Sequence, residues 1–237
     1  MTQVRWLVPF VVAVSLCFGQ AASDETKPIR VTVVTGGHDH EPSFYAVFDK
    51  QPAWDVKINP HPNAYRGDIR KNCDVLVTYD MLPDLPEAQR THLRNFLEAG
   101  KGAVILHHSL AGLGDWEWWW REVMGARYLQ KPMDGKPAST FLHDVQLQLK
   151  PVASHPVLRG ITAGAIEDET YKGMWISPDN KVLLRTEHPT SDGPVAWISP
   201  YAKSRVVVIQ LGHGSAAHRN PMFQQLVRNA VQWAAGR

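Results

Sequence analysis

The sequence predicts an α/β fold with a mostly parallel sheet, helices on both faces and an antiparallel excursion in its second half. Three observations carry this. Ile29–Thr35, Cys73–Thr78 and Ala103–Leu106 are short runs rich in Val, Ile and Leu, the composition of strands covered on both faces. Helix-like stretches alternate with such runs in the first half, as βαβ units require. In the second half, Thr140–Leu149 alternates apolar and polar residues, as a strand with one wet face does.

The elements follow in order. Ile29–Thr35 is the first strand and runs into Gly36-Gly37-His38-Asp39-His40-Glu41. Pro42 and Ser43 start a helix through Phe44, Val47 and Phe48. Trp54–Ile58 is a second strand, closed by Pro60 and Pro62, and Cys73–Thr78 a third. Pro86-Glu87 opens a helix with Leu93, Phe96 and Leu97 at helical spacing, and Gly100 stops it. Ala103–Leu106 leads into His107-His108-Ser109. Further strands are Lys181–Thr186, Pro194–Trp197 and Arg205–Leu211, and Pro221–Ala235 is a last amphipathic helix. No repeat, low-complexity tract or linker divides the chain.

The 237 residues begin with an address. Arg5, the apolar run Trp6–Phe18 and small residues up to Ser23 form the pattern of a secretory signal peptide over residues 1–23. The run is shorter than the roughly 20 residues a membrane span needs. Leu16 is too large for a lipoprotein signal at Cys17; the alternative is an uncleaved N-terminal anchor. Residues 24–237 then form one domain in the periplasm or outside the cell, with no stable membrane insertion. Formal charge is +2, and losing Arg5 leaves 24 basic against 23 acidic residues, with no basic run to hold nucleic acid. Of the two cysteines, only Cys73 survives cleavage, so no intramolecular disulfide forms and the apolar core must supply stability.

In open α/β sheets ligands bind beyond the carboxyl ends of the strands. His38 follows the first strand, His107 and His108 the fourth, and His213 the last, each beside small or polar residues. Each alone is more often structural than functional, but the fold sends all of them to one rim. His40, His61, His92, His143, His155, His188 and His218 are weaker candidates. In Glu167-Asp168-Glu169, read as a loop over the rim, Glu169 is favoured and the other two read equally well as solvated acids. Trp116, Trp119 and Trp120 share a helical face, for packing or for stacking on a sugar ring. GxGxxG, P-loop and HExxH motifs are absent, and the turn after the fourth strand carries no Ser or Cys nucleophile.

An ordered set of motifs spans residues 29–235: VVTGGHDHE, VILHHS with DWEWWWREVMGARY, SHPVLRGI, EDETYKG, VLLRTEHPT with PVAW, and RVVVIQLGHG with NAVQWAA. The set resembles the ThuA-like (trehalose-utilisation) domain family, a branch of the class I glutamine-amidotransferase-like superfamily. The resemblance implies a flavodoxin-like three-layer sandwich and a role on a glycoside or oxidised (keto) disaccharide. It also implies loss of amidotransferase chemistry, since His107 stands at the elbow where those enzymes hold cysteine, while His213 resembles their late histidine. The resulting expectation is an enzyme of undefined reaction type, a hydrolase, lyase or isomerase. His107, His213 and Glu169 would be catalytic, and His38, Tyr171, Trp116 and His108 would bind substrate. His38, His107 and His213 would suit a divalent metal such as zinc. The alternative is a non-catalytic sugar-binding module with a small-molecule carbohydrate partner. N-terminal sequencing of exported protein is expected to find the chain cut close before Asp24; exported protein beginning at Met1 contradicts a cleaved signal.

Overall fold

The computed structural model describes residues 27–237, so the expected signal segment lies outside the described residues. The strands are β1 (Ile29–Gly36), β2 (Trp54–Ile58), β3 (Val75–Asp80), β4 (Gly102–Leu106), β5 (Ala126–Arg127), β6 (Thr140–Pro151), β7 (Gly164–Lys172), β8 (Trp175–Ile176), β9 (Lys181–Thr186), β10 (Pro194–Ile198) and β11 (Val206–Ile209). The α-helices are α1 (Glu87–Glu98), α2 (Ser215–Arg219) and α3 (Pro221–Ala234). Nine strands form one sheet in the order β2-β1-β3-β4-β11-β10-β9-β6-β7, and β5 pairs with β8 apart from it.

The first five strands in that order are mutually parallel. From β11 outward every pairing is antiparallel. β9 and β7 therefore still run with the parallel five, and only β10 and β6 oppose them. Alternation along each strand feeds two apolar layers. Val31, Val33, Val75, Val77, Val104 and Leu106 join Phe44 and the inner face of α3. Val34, Leu76, Ala103 and Ile105 join Leu93, Phe96 and Leu97 of α1 with Trp119 and Trp120. Burial of these β-branched and aromatic side chains on both faces is the main stabilising term.

Three expected elements differ. The segment after Pro42 forms a 3-10 helix over Pro42–Val47, and the tryptophan run forms a π-helix over Trp118–Met124. Glu167–Lys172, expected as a loop, belongs to β7. β6 pairs with β9 only over Leu149–Pro151, so most of the β6–β7 hairpin is released from the sheet. It leans back over the carboxyl rim, where its backbone and side chains meet the loop after β11. Among the described residues no helix is long and apolar enough to cross a membrane.

α2 delivers a buried histidine beneath that loop. His218 is fully enclosed, with Nδ1 2.9 Å from Ser43 Oγ and Nε2 3.0 Å from the Gly212 carbonyl. Burial lowers its pKa to about 4, only partly opposed by the Gly212 hydrogen bond. A histidine whose folded pKa lies below its unfolded value favours the native state while neutral. That contribution is complete above the unfolded value of about 6.5 and is lost as pH falls through about 4. Denaturation across pH 7 to 4 is expected to show native stability falling by roughly 1–3 kcal/mol more than that of His218→Gln. Equal slopes for the two proteins contradict this account.

Candidate functional site

His107 is the first residue after β4, and its backbone adopts φ +45°, a left-handed conformation uncommon for a residue with a Cβ. The turn aims its ring along the rim rather than into the helical layer. Its Nδ1 lies 2.8 Å from the Gln210 carbonyl. A carbonyl only accepts, so Nδ1 carries the hydrogen and Nε2 faces inward. His213 lies in the loop after β11, which opens at Gly212 with φ +113°. A Cβ on Gly212 would stand 2.8 Å from the Phe223 ring, so this turn needs glycine. Glu169 arrives from β7.

The three side chains meet. Glu169 Oε2 is 2.9 Å from His107 Nε2 and 3.1 Å from His213 Nδ1, and the two nitrogens are 3.2 Å apart. Glu169 and His107 are 5% and 1% exposed. Burial alone would push the Glu169 carboxyl up, but the hydrogen bonds from His107 and His213 prevail and hold it down at about 2. The same bond to Glu169 raises the His213 pKa, with burial opposing. Tyr171 stacks on His107, ring centroids 5.3 Å apart, with its hydroxyl 3.2 Å from Nε2.

The cluster floors a cavity of about 220 Å³ that His38, Met81, Tyr128, Phe141 and His143 also line. His107, His213, His38 and His108 thus share one rim, as the strand ends require, and Glu169 and Tyr171 join them there from within β7. Two expected roles need correction, those of Trp116 as a sugar platform and of His38 as a metal ligand, while His108 keeps its place on the cavity. Trp116 is absent from the cavity: it is 6% exposed, packed against Trp118 and Trp119 beneath Arg90 and Arg94. His38 does not join the His107–His213 pair; it stacks on His108 and its Nδ1 meets the Asp39 carbonyl, while Glu169 takes the third place. His108 donates its Nε2–H to the Tyr79 carbonyl and, with burial lowering its pKa to about 2, is a neutral wall of the cavity.

Four residues matter more at the site than the sequence reading gave them, Gln210 and Phe141 having gone unnoticed and Asp168 and His143 having been ranked low. Asp168 is no solvated acid: its carboxylate is buried and accepts hydrogen bonds from the backbone N–H groups of Gly212, at 2.7 Å, and His213, at 2.9 Å. Gln210 joins both sides, its carbonyl on His107 and its side-chain amide donating to the Glu169 carbonyl at 2.9 Å. A lone glutamine closing the apolar run of RVVVIQL was the available signal. His143 and Asp144 stand opposite the single Glu169, because the β6–β7 register shifts between Leu142 and Val145. This bulge, with Asp144 at φ +54°, re-aims His143 so that Nδ1 lies 2.9 Å from His213 Nε2. Phe141, two residues earlier, is 55% exposed at the cavity mouth.

The fold and the rim cluster define an α/β protein with a polar site at its parallel strand ends. Residues 30–234 match the family model for trehalose utilisation, ThuA, and the chain belongs to the ThuA family. A ThuA-like protein from Parabacteroides merdae superposes with TM-score 0.74 at 18% identity, over 88% of this chain and 90% of that one. A ThuA-like protein from Bacteroides uniformis gives 0.69 at 17%, over 91% and 95%. The β-galactosidase of Rahnella sp. R3 gives 0.58 at 12%, over 87% of this chain and 31% of that one. A search of curated proteins gave no match.

Asp168→Ala strips two buried N–H groups of a charged acceptor and is expected to destabilise the protein by about 2–4 kcal/mol. Glu167→Ala, on the exposed side of the same strand, should stay within about 0.5 kcal/mol. Denaturant titration checks both, and comparable losses would contradict the anchoring role of Asp168.

Proposed function

We propose that this protein acts outside the cytoplasm as an enzyme on a glycoside or a keto disaccharide. Its reacting atoms would lie over His107, Glu169 and His213. The observation that carries this reading is the convergence of three donor atoms, from three separate elements, within 4.8 Å at the floor of a cavity. A carboxylate enclosed between two imidazoles is an arrangement suited to acid–base work, which a site that only holds hydroxyls does not need. Membership of the trehalose-utilisation family supports carbohydrate as the substrate class. The order β2-β1-β3-β4-β11 in the parallel half supports a flavodoxin-like reading of that half.

At about 220 Å³ the cavity lies below the roughly 300–1,000 Å³ of most small-molecule pockets, a size that suits one sugar ring. Phe141 at the mouth offers an exposed face to a second ring, the part once assigned to Trp116. Glutaminase chemistry finds no support, since Cys73 is buried before β3, at the opposite end of that strand from the site.

Incubation with a panel of disaccharides and 3-keto glycosides, followed by mass spectrometry, tests the proposal. Conversion of at least one compound is expected, reduced about 10²-fold or more by Glu169→Gln, with Phe141→Ala raising KM for two-ring substrates. Sugar binding with no conversion across the panel would favour the binding-module reading, and conversion indifferent to Glu169→Gln would overturn the site assignment.

A further inference from the structure

We propose that His107 Nε2, Glu169 Oε2 and His213 Nδ1 are the three protein ligands of a single divalent cation of the zinc class, with a fourth position open to the cavity. The inference rests on reading this cluster as the working site, and goes beyond it in naming what the cluster holds.

The three atoms form a triangle with edges of 2.9, 3.1 and 3.2 Å. Each edge is satisfied only by a proton between its two atoms. The carboxylate oxygen supplies none, and each ring nitrogen supplies at most one. With both nitrogens protonated, both donate to the one Glu169 oxygen, and two N–H groups are crowded side by side across 3.2 Å. With only His213 protonated, a bare nitrogen faces a carboxylate oxygen across 2.9 Å. One edge always brings like partners together, and the Glu169 and His107 side chains are almost wholly enclosed. A cation among three lone pairs satisfies all three edges together.

The shape agrees. Tetrahedral ligands at 2.0–2.1 Å from zinc lie about 3.3 Å from one another, and these edges fall just short of that. Two imidazoles and one carboxylate suit zinc, cobalt, iron or manganese better than calcium or magnesium, which favour all-oxygen shells. Two histidines and a carboxylate with a free position form a pattern of catalytic rather than structural metal sites.

Each ligand is also held from behind, as metal-ligating histidines are. His107 spends Nδ1–H on the Gln210 carbonyl. His213 turns Nε2 to His143 Nδ1 at 2.9 Å, which leaves Nδ1 directed inward. Glu169 is fixed through its own carbonyl by Gln210, and the backbone of His213 by Asp168. His143 is thus a positioning residue, and His38 lies outside the triangle.

The test uses the mature protein stripped by chelator and dialysed, then titrated with Zn²⁺ or Co²⁺ by calorimetry and assayed by metal analysis. One ion per chain is expected, with Co²⁺ giving the visible absorption of a low-coordinate site and Zn²⁺ raising Tm. Glu169→Gln and His213→Gln should each weaken affinity about tenfold or more. His143→Gln should weaken it less, and His38→Gln should leave it within about twofold. Circular dichroism and the metal-free Tm separate a lost ligand from a lost fold. Absence of stoichiometric metal in folded wild-type protein overturns the proposal, as does binding that survives Glu169→Gln with His213→Gln or disappears in His38→Gln. Sugar conversion at full rate by stripped protein that takes up no metal overturns the metal and leaves the enzyme. Stoichiometric metal with no conversion of any sugar supports the metal and counts against the enzyme.

Discussion

The attachment of the β6–β7 hairpin to the parallel rim is the constraint on which the site depends. Two histidines come from the parallel strand ends, but the carboxylate comes from the antiparallel half. Asp168 and Gln210 fasten the halves together behind the three side chains: Asp168 accepts from the backbone of Gly212 and His213, and Gln210 bonds both His107 and Glu169. Both linkers are buried, so their hydrogen bonds are costly to leave unmade. Burial pushes the Asp168 carboxyl pKa up, and the neighbouring His107 ring together with three backbone N–H groups works against that. A buried acid is thus tolerated because it holds a loop.

Electrostatics at the rim follow from that geometry. Glu169 is surrounded by imidazoles: His107 and His213 in contact, and His143 Nε2 at 3.8 Å. Such crowding is stable only if the imidazoles shed or share charge, and the surrounding histidines show this in different ways. His108 and His218 are held neutral by burial, while His213 gains basicity from its carboxylate neighbour. His143, nearly half exposed, links the buried pair to the cavity mouth. The polar groups therefore grade from an enclosed floor to an open rim, the arrangement a ligand entering from solvent requires.

Much of the fold was legible in the sequence. Strands covered on both faces announce themselves as apolar runs, and β2 and β9 match their expected limits residue for residue. The rim position of His38, His107 and His213 follows from strand direction alone. What the sequence hid lies in the hairpin. EDETYKG alternates too little to read as a strand, because Asp168, Glu169, Thr170 and Tyr171 are all buried, under the sheet's own loops. His143 reaches His213 only through a bulge, and a two-for-one register has no composition of its own. Trp116 misled for the opposite reason, since a tryptophan run has the same appearance whether it stacks on a sugar or, as here, on other tryptophans and arginines. His38 has the right strand end but spends its ring on His108 and Asp39.

The account centres on the meeting of Glu169, from the antiparallel half, with two histidines from the parallel half. A crystal structure grown with zinc, with anomalous differences measured at the zinc edge, tests that most directly. The account predicts one strong peak bounded by His107 Nε2, Glu169 Oε2 and His213 Nδ1, at about 2.0–2.2 Å from each. A peak elsewhere on the rim, or a Glu169 carboxylate turned away from both rings, would contradict it.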